Sequence, residues 1–165
     1  MKTLYLIRHA KSSWKDLSLD DIDRPLNKKG KKDAPQMGIF LKEKGVEPDL
    51  MISSPAKRAY TTAKLIAAEL SYPEKDIEKN RKLYVFDYSG KDVMDVLTKI
   101  DHQYNIVMIF GHNPTFSHLA SSFTESDLEE IPTCGAVCFQ FDTNDWREIE
   151  DADAELMFFM YPKIL

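Results

Sequence analysis

The sequence predicts an α/β fold, a three-layer α/β/α sandwich whose central sheet is mostly parallel. Short apolar runs typical of buried strands alternate along the chain with apolar stripes at helical spacing. This alternation favours a layered sheet with helices on both faces. The 165 residues show no internal repeat and no linker segment. We therefore expect a single domain over residues 1–165.

The chain opens with a strand, a loop and a helix. Thr3–Ile7 is a short apolar run that predicts a buried strand, and residues 10–26 are polar and irregular, as in a loop. Asn27 is a suitable N-cap for a helix that reaches about Lys44. Because Pro35 lies inside this pattern, we expect it to kink or delay the helix.

A second strand and helix follow in the same arrangement. Leu50–Ser53 predicts another short strand, and the stripe through residues 54–70 predicts a helix. Ser54 is a good N-cap for this helix, and Pro55 suits its first position. The later expectations are a strand within 76–85, a helix over 91–100, a strand over 105–110, a helix opened by Asn113-Pro114, and strands over 136–141 and 156–161.

Polar and ionisable residues follow three of these strands. Arg8 and His9 end the first, Ser53–Ser54 ends the second, and Gly111–His112 ends a later one. Ligands of open α/β sheets bind outside the carboxyl ends of the strands. We therefore expect these residues to converge on one site.

The residue types at these positions favour phosphate as the ligand. Arg58 lies in the first turn of the second predicted helix, and helix N-termini bind anions. Arg8 and Arg58 add planar forks that match phosphate oxygens. A neutral imidazole can attack phosphorus and form a phosphohistidine that water then hydrolyses. His9 and His112 thus become candidates for a phosphoryl-transfer site.

Charge argues against nucleic acid as a partner. The formal net charge is −5, and an acidic protein repels the phosphate backbone. A basic run and an acidic carboxy-terminal region are interpreted first as solvated surface. The basic run could also attract an anionic substrate. It comprises Lys28, Lys29, Lys31 and Lys32.

Cysteine spacing and hydropathy indicate the compartment. Cys134 and Cys138 lie in a strand-like run, where four residues span about 13 Å. A disulfide needs Cα atoms within about 7 Å, so we expect buried free thiols, which suit a reducing compartment. No signal peptide and no membrane-length apolar stretch is visible, so we expect a cytoplasmic protein without a membrane partner.

Three segments together resemble a known family. Leu6–Ser12 (LIRHAKS), Ser53–Ala59 (SSPAKRA) and Gly111–Pro114 (GHNP) resemble motifs of the histidine phosphatase superfamily, the phosphoglycerate mutase-like group. Arg24–Leu26 before a helix and Pro132–Thr133 before a late strand are more similar to its small SixA-like phosphohistidine phosphatase branch. The resemblance covers nearly the whole chain and implies the phosphoglycerate mutase-like fold.

The resemblance implies a role for each matching residue. His9 would be the nucleophile, and His112 would hydrogen-bond the transferring group. Arg8 and Arg58 would complete the phosphate pocket, and Arg24 would reach the same pocket. The resemblance implies no metal and no cofactor.

One departure from the family concerns the general acid. Many relatives carry a Glu soon after the third strand, whereas the corresponding stretch here, Leu83–Asp87, contains none. Asp16, Asp23 and Asp87 are the candidates that remain, and a missing acid favours substrates whose leaving group departs easily. Phosphorylated imidazole is one such substrate.

The sequence therefore predicts a metal-independent phosphatase that acts through a phosphohistidine. Its substrate would be a phosphorylated protein, such as one carrying phosphohistidine, or a small phosphate-containing molecule. A mutase fits less well, because little sequence is left for a lid over the pocket. The alternative is a non-catalytic phosphate-binding or protein-interaction module on the same fold. The sequence leaves the oligomeric state open.

Overall fold

The computed structural model describes all residues, 1–165, and contains one six-stranded sheet. The strands are β1 (Lys2–Arg8), β2 (Leu50–Ser53), β3 (Glu78–Lys79), β4 (Ile106–Gly111), β5 (Ala136–Phe141) and β6 (Ala154–Met160). The helices are α1 (Lys28–Glu43), α2 (Lys57–Glu69), α3 (Lys91–Thr98) and α4 (Thr115–Ser122). The strand order is β3-β2-β4-β1-β5-β6, and β5 is the one strand that runs opposite to the other five. The predicted mostly parallel sheet is confirmed.

Alternating side chains of the central strands fill two cores, one on each face of the sheet. In β1, Leu4 and Leu6 belong to the core that also holds side chains of α3 and α4. Tyr5 and Ile7 belong to the core on the opposite face, which α1 and α2 cover. This alternation is the two-residue period of a strand buried on both faces. The predicted three-layer arrangement is therefore confirmed.

Helix α1 begins where the sequence predicts, but Pro35 does not delay it. The Asn27 side chain accepts from the backbone N–H of Gly30 at 2.8 Å, as an N-cap does. A Cβ on Gly30 would lie 2.2 Å from the carbonyl oxygen of Lys11, so only glycine permits this close approach. Tight packing and the cap fix the first turn, and the helix continues through Pro35 without interruption.

Helix α2 begins later than predicted. It starts at Lys57 with Ala56 as the N-cap residue, and residues 54–56 stay outside the helix. The expectation that Ser54 caps this helix is wrong. The physical reason is that the Ser54 hydroxyl bonds to the His112 ring at 2.8 Å and accepts from the N–H of Ala56, a residue that precedes the helix, at 3.2 Å.

Two expectations about cysteines and membranes can be compared with the structure. Cys134 and Cys138 are both buried and free, as predicted. Burial raises the pKa of the Cys134 thiol to about 12, which keeps it protonated. None of the helices combines the length and the apolar character needed to cross a bilayer.

Candidate active site

The two histidines lie side by side at the carboxyl ends of β1 and β4. These strands pair in parallel with Arg8 opposite Gly111. The backbone N–H of His9 then donates to the Gly111 carbonyl oxygen at 3.1 Å. As a result, the His9 and His112 ring centroids are 5.3 Å apart. Both residues are buried, with 8% and 1% of their surface exposed.

One ring nitrogen of His9 is fixed, and the other is free. Nδ1 lies 2.7 Å from the carbonyl oxygen of Ala10. Because a carbonyl oxygen only accepts, Nδ1 carries the proton, and Nε2 of the neutral ring keeps its lone pair. The N–H of Ala10 donates to Thr62 Oγ1 at 2.9 Å, and that hydroxyl donates to the Arg58 carbonyl oxygen at 2.7 Å. These bonds anchor the segment after β1 to α2 and fix the direction of the His9 ring.

His112 is held by Ser54 and covered by two aromatic rings. Its Nε2 lies 2.8 Å from Ser54 Oγ, and its Nδ1 is buried without a partner. The Ser54 hydroxyl can donate to Nε2 of a neutral ring, which leaves the proton on Nδ1. Tyr84 and Phe86 lie 5.4 and 4.7 Å from the His112 ring, measured between centroids. They shield the imidazole from water.

Arg8 and Arg58 each have a buried nitrogen without a hydrogen-bond partner. Arg8 Nη1 donates to the Ile131 carbonyl oxygen at 2.9 Å, and Arg58 Nη1 donates to the Asp21 carbonyl oxygen at 2.7 Å. The Nε atoms of both arginines and Nδ1 of His112 are the buried side-chain nitrogens that have no partner. Each unpaired buried donor costs about 1–3 kcal/mol. Their coincidence in one site indicates a place for a ligand rich in acceptors.

The carboxylate of Asp21 joins Arg58 and Arg24 at the edge of the site. Its Oδ2 accepts from Arg58 Nη2 at 3.0 Å and from the Tyr84 hydroxyl at 2.6 Å. Its Oδ1 accepts from Arg24 Nε at 3.2 Å. Asp21 lies in a short 3-10 turn, Asp21–Asp23, in the loop that follows β1. It therefore connects this loop, α2 and the segment after β3.

Arg24 lies beside the predicted pocket and is itself buried. Its Nη1 donates to Ser12 Oγ at 2.8 Å, and the Trp14 ring stacks over its guanidinium at 3.6 Å. Arg24 is linked to Arg58 through Asp21. Its positive charge is among those that lower the pKa of His9.

Burial and positive charge keep both imidazoles neutral. Burial, with the Arg58 and Arg8 charges adding to it, lowers the pKa of His9 to about 4. Burial and the neighbouring His9 lower the pKa of His112 to about 2. At neutral pH, His9 Nε2 therefore has a free lone pair, and the charge of the site comes from guanidinium groups. No group of three or more His, Cys, Asp or Glu side chains is placed to hold a metal ion.

The candidate general acids are engaged in local turns or exposed. Hydrogen bonds from Ser18 lower the pKa of Asp16. At Asp87, burial acts to raise the pKa of the carboxyl group. Hydrogen bonds outweigh this effect and lower the pKa, and the largest contribution among them comes from the Gly90 N–H. Both carboxylates are ionised at neutral pH, which is the wrong state for a proton donor. Asp23 is exposed and its carboxylate makes no hydrogen bond within the protein.

The structure brings Arg8, His9, Arg58 and His112 together, with Arg24 beside them. Sequence reasoning missed Asp21 altogether. Its loop also carries other aspartates, which are Asp16, Asp20 and Asp23. The one sequence feature that could have indicated its role is the spacing of three residues between Asp21 and Arg24. This signal is weak, because such ion pairs are common on protein surfaces.

Comparison with known proteins identifies the family. Residues 4–91 match the model of the histidine phosphatase superfamily (branch 1), which is more than half of the chain. An uncharacterized chloroplastic protein of Arabidopsis thaliana is 33% identical over 153 residues, covering 89% of this chain and 70% of that protein. The chain belongs to the histidine phosphatase superfamily. The matched region of this histidine phosphatase ends before His112, which joins the site through the pairing of β1 with β4.

Two further comparisons concern fold and length. The crystal structure of the putative phosphohistidine phosphatase SixA from Agrobacterium tumefaciens has a TM-score of 0.79, covers 98% of both chains and is 24% identical. This likeness confirms the fold that the sequence resemblance implies. Phosphoglycerate mutase 1 of Saccharomyces cerevisiae is 33% identical over 108 residues, which are 62% of this chain and 44% of the mutase. The aligned region is thus less than half of that mutase.

Proposed function

We propose that this histidine phosphatase is a metal-independent enzyme that hydrolyses a phosphoryl group through a covalent phosphohistidine at His9. The observation that carries the proposal is the set of buried, unpaired donors beside the free His9 Nε2 lone pair. These donors are Arg8 Nε, Arg58 Nε and His112 Nδ1. The three equatorial oxygens of a phosphoryl group in transfer would supply the missing acceptors.

In the first step, His9 Nε2 attacks phosphorus. A P–Nε2 bond forms while the bond between phosphorus and the leaving group breaks, and the leaving group takes the electron pair of that bond. Arg8 and Arg58 stabilise the charge on the equatorial oxygens. The Ala10 carbonyl oxygen keeps accepting from Nδ1–H, which stabilises the positive charge that develops on the imidazole.

In the second step, water attacks the phosphorylated His9. A new P–O bond forms, the P–Nε2 bond breaks, and the electron pair returns to the imidazole. The proton of the attacking water goes to the released phosphate or to solvent. The Ala10 contact restores the tautomer with a free Nε2, so the enzyme returns to its starting state.

The surroundings of the candidate acids favour a phosphohistidine substrate. Asp16 and Asp87 are ionised and hold local turns. The Tyr84 hydroxyl donates its proton to a hydrogen bond with Asp21. Burial is the largest cause of the raised pKa of this hydroxyl. An imidazole protonated on its other nitrogen departs as a neutral molecule without a proton from the enzyme. An alkoxide has no such route, so we propose phosphohistidine on a protein over alkyl phosphates.

Turnover by wild type and His9→Ala tests the proposal. Both proteins receive a phosphohistidine peptide, an aryl phosphate and an alkyl phosphate, with a chelator present throughout. We expect wild type to prefer the phosphohistidine peptide and His9→Ala to lose at least about a thousandfold in kcat/KM. His102→Ala is the matched control, since the His102 side chain is 80% exposed.

Three outcomes would contradict the proposal. Unchanged turnover by His9→Ala would remove His9 as nucleophile, and loss of wild-type turnover in chelator would remove the metal-independent mechanism. A wild-type protein that binds vanadate but hydrolyses none of the three substrates would favour a non-catalytic phosphate-binding module.

A further inference from the structure

Asp21 holds the far edge of the Arg58 guanidinium. Its carbonyl oxygen accepts from Nη1 at 2.7 Å, and its Oδ2 accepts from Nη2 at 3.0 Å. One residue thereby binds both terminal nitrogens of Arg58 through two different oxygens. Asp21 does not contact Nε, which is buried and unpaired. Holding one edge of a planar guanidinium fixes the direction of the other edge.

The same carboxylate is anchored on two further sides. Tyr84 donates its hydroxyl to Oδ2 at 2.6 Å, and Arg24 donates Nε to Oδ1 at 3.2 Å. Arg24 is in turn held by Ser12 and covered by the Trp14 ring. Asp21 is therefore a fixed point between the loop after β1 and the aromatic wall over His112.

We infer that Asp21 is a positioning residue that aims the Arg58 guanidinium at the transferring phosphoryl group. This inference rests on the proposed function, since it concerns the same site. Asp21 acts through Arg58 and does not touch the reacting atoms. Both of its carboxylate oxygens accept from protein donors, and its negative charge opposes direct contact with an anionic phosphoryl group.

The charge of Asp21 is compatible with an anionic substrate. A lone carboxylate beside a phosphate site would repel the ligand, but two guanidinium groups contact this one. Partial burial opposes ionisation, yet the hydrogen bonds from Tyr84 and Arg58 lower the Asp21 pKa to about 2. An acid this strong is ionised at neutral pH and does not serve as the general acid.

Orthovanadate binding and turnover by Asp21→Ala and Asp21→Asn test the inference. We expect Asp21→Ala to weaken vanadate binding and to lower kcat/KM by about 10- to 100-fold, as when a charged hydrogen bond is removed. Asp21→Asn keeps an acceptor oxygen and should lose less. Asp20→Ala is the matched control, because the Asp20 side chain neighbours Asp21 in the same exposed turn and makes no cap hydrogen bond.

A double-mutant cycle separates positioning from a merely structural role. If Asp21 acts through Arg58, then adding Asp21→Ala to Arg58→Ala should change vanadate affinity by less than about twofold. If the two losses multiply, Asp21 acts independently of Arg58 and the inference is wrong. Circular dichroism and thermal unfolding check that each variant is folded. The Asp21 side chain is 46% exposed, so its loss should leave the core intact.

Failure of this inference is distinguishable from failure of the proposed function. Vanadate binding by Asp21→Ala that equals wild type overturns the inference and leaves the phosphatase proposal standing. A wild-type protein without turnover overturns the phosphatase proposal, while vanadate affinity still decides the role of Asp21. If wild type binds no vanadate, both are overturned.

Discussion

Lys2 and Arg8 lie at opposite ends of β1, and their positive charges are surrounded in different ways. The Lys2 ammonium has three acceptors, the carbonyl oxygens of His102 and Tyr104 and the side chain of Asn105. An ammonium has three protons, so every donor of Lys2 is satisfied. Arg8 donates to one carbonyl oxygen and keeps a buried, unpaired Nε.

The difference separates a structural charge from a binding charge. Lys2 ties the start of β1 to the segment before β4, and nothing is left over for a ligand. At the other end of the sheet, donors of Arg8, Arg58 and His112 remain unpaired. Since buried donors are almost always satisfied, such a remainder indicates a missing partner. The two ends of β1 therefore differ in whether the donors of the cation are all satisfied.

Removal of Arg8 should reduce catalysis far more than stability. We expect Arg8→Ala to lower kcat/KM by about 100- to 1,000-fold, the loss typical of one donor to a transition-state oxyanion. The free energy of unfolding should change little, because the variant also removes a partly buried cation whose Nε has no hydrogen-bond partner. Turnover and urea unfolding measure the two effects. A variant that loses stability but keeps its turnover would make Arg8 structural.

Removal of Lys2 should have the opposite effect. We expect Lys2→Met to lower the free energy of unfolding by about 2–3 kcal/mol, because the three hydrogen bonds of the Lys2 ammonium are lost. Its kcat/KM should stay within about twofold of wild type, since Lys2 lies at the opposite end of β1 from the site. Lys75→Met is the control for charge removal at an exposed position. Urea unfolding of both variants checks the prediction, and equal free energies of unfolding for Lys2→Met and Lys75→Met would contradict it.

Strand-end reasoning predicts the centre of the site because parallel pairing follows from local patterns. Apolar runs mark β1 and β4, and the carboxyl ends of parallel strands share one edge. Arg8, His9 and His112 were therefore predictable without knowledge of their contacts. The fold class was predictable for the same reason, since the alternation of strands and helices is local.

The edge of the site was not predictable, because it depends on contacts between distant segments. Ser54 matches the statistics of an N-cap, yet its hydroxyl contacts His112, which follows a different strand, β4. Asp21 looks like any acidic residue of an exposed loop until Arg58 and Tyr84 are placed around it. Local propensity cannot distinguish a helix cap or a surface loop residue from a residue of the site, since the same residue types are favoured in both places.

Oxyanion binding should stabilise wild type through the unpaired donors. Saturation at about 100 times Kd adds about 2.7 kcal/mol to the free energy of unfolding. We expect vanadate to stabilise Lys2→Met by the same amount as wild type and to stabilise Arg8→Ala much less. Thermal unfolding with and without vanadate measures this. Equal stabilisation of both variants would mean that the anion binds outside the site.

Titration of the His9 ring by NMR tests the electrostatics of the site. Burial lowers the pKa of His9 to about 4, whereas a histidine in an unfolded chain titrates near about 6.5. The unfolded state therefore binds more protons between these values. The stability that neutral His9 contributes is complete above about pH 6.5 and is lost as the pH falls towards 4.

We expect the ligand-free His9 resonances to stay constant from about pH 8 to about pH 6. Inorganic phosphate should raise the pKa of His9, because a dianion favours the imidazolium form. A free histidine peptide in the same tube is the reference. If His9 titrates with that peptide, the site is hydrated, and its unpaired donors are satisfied by water.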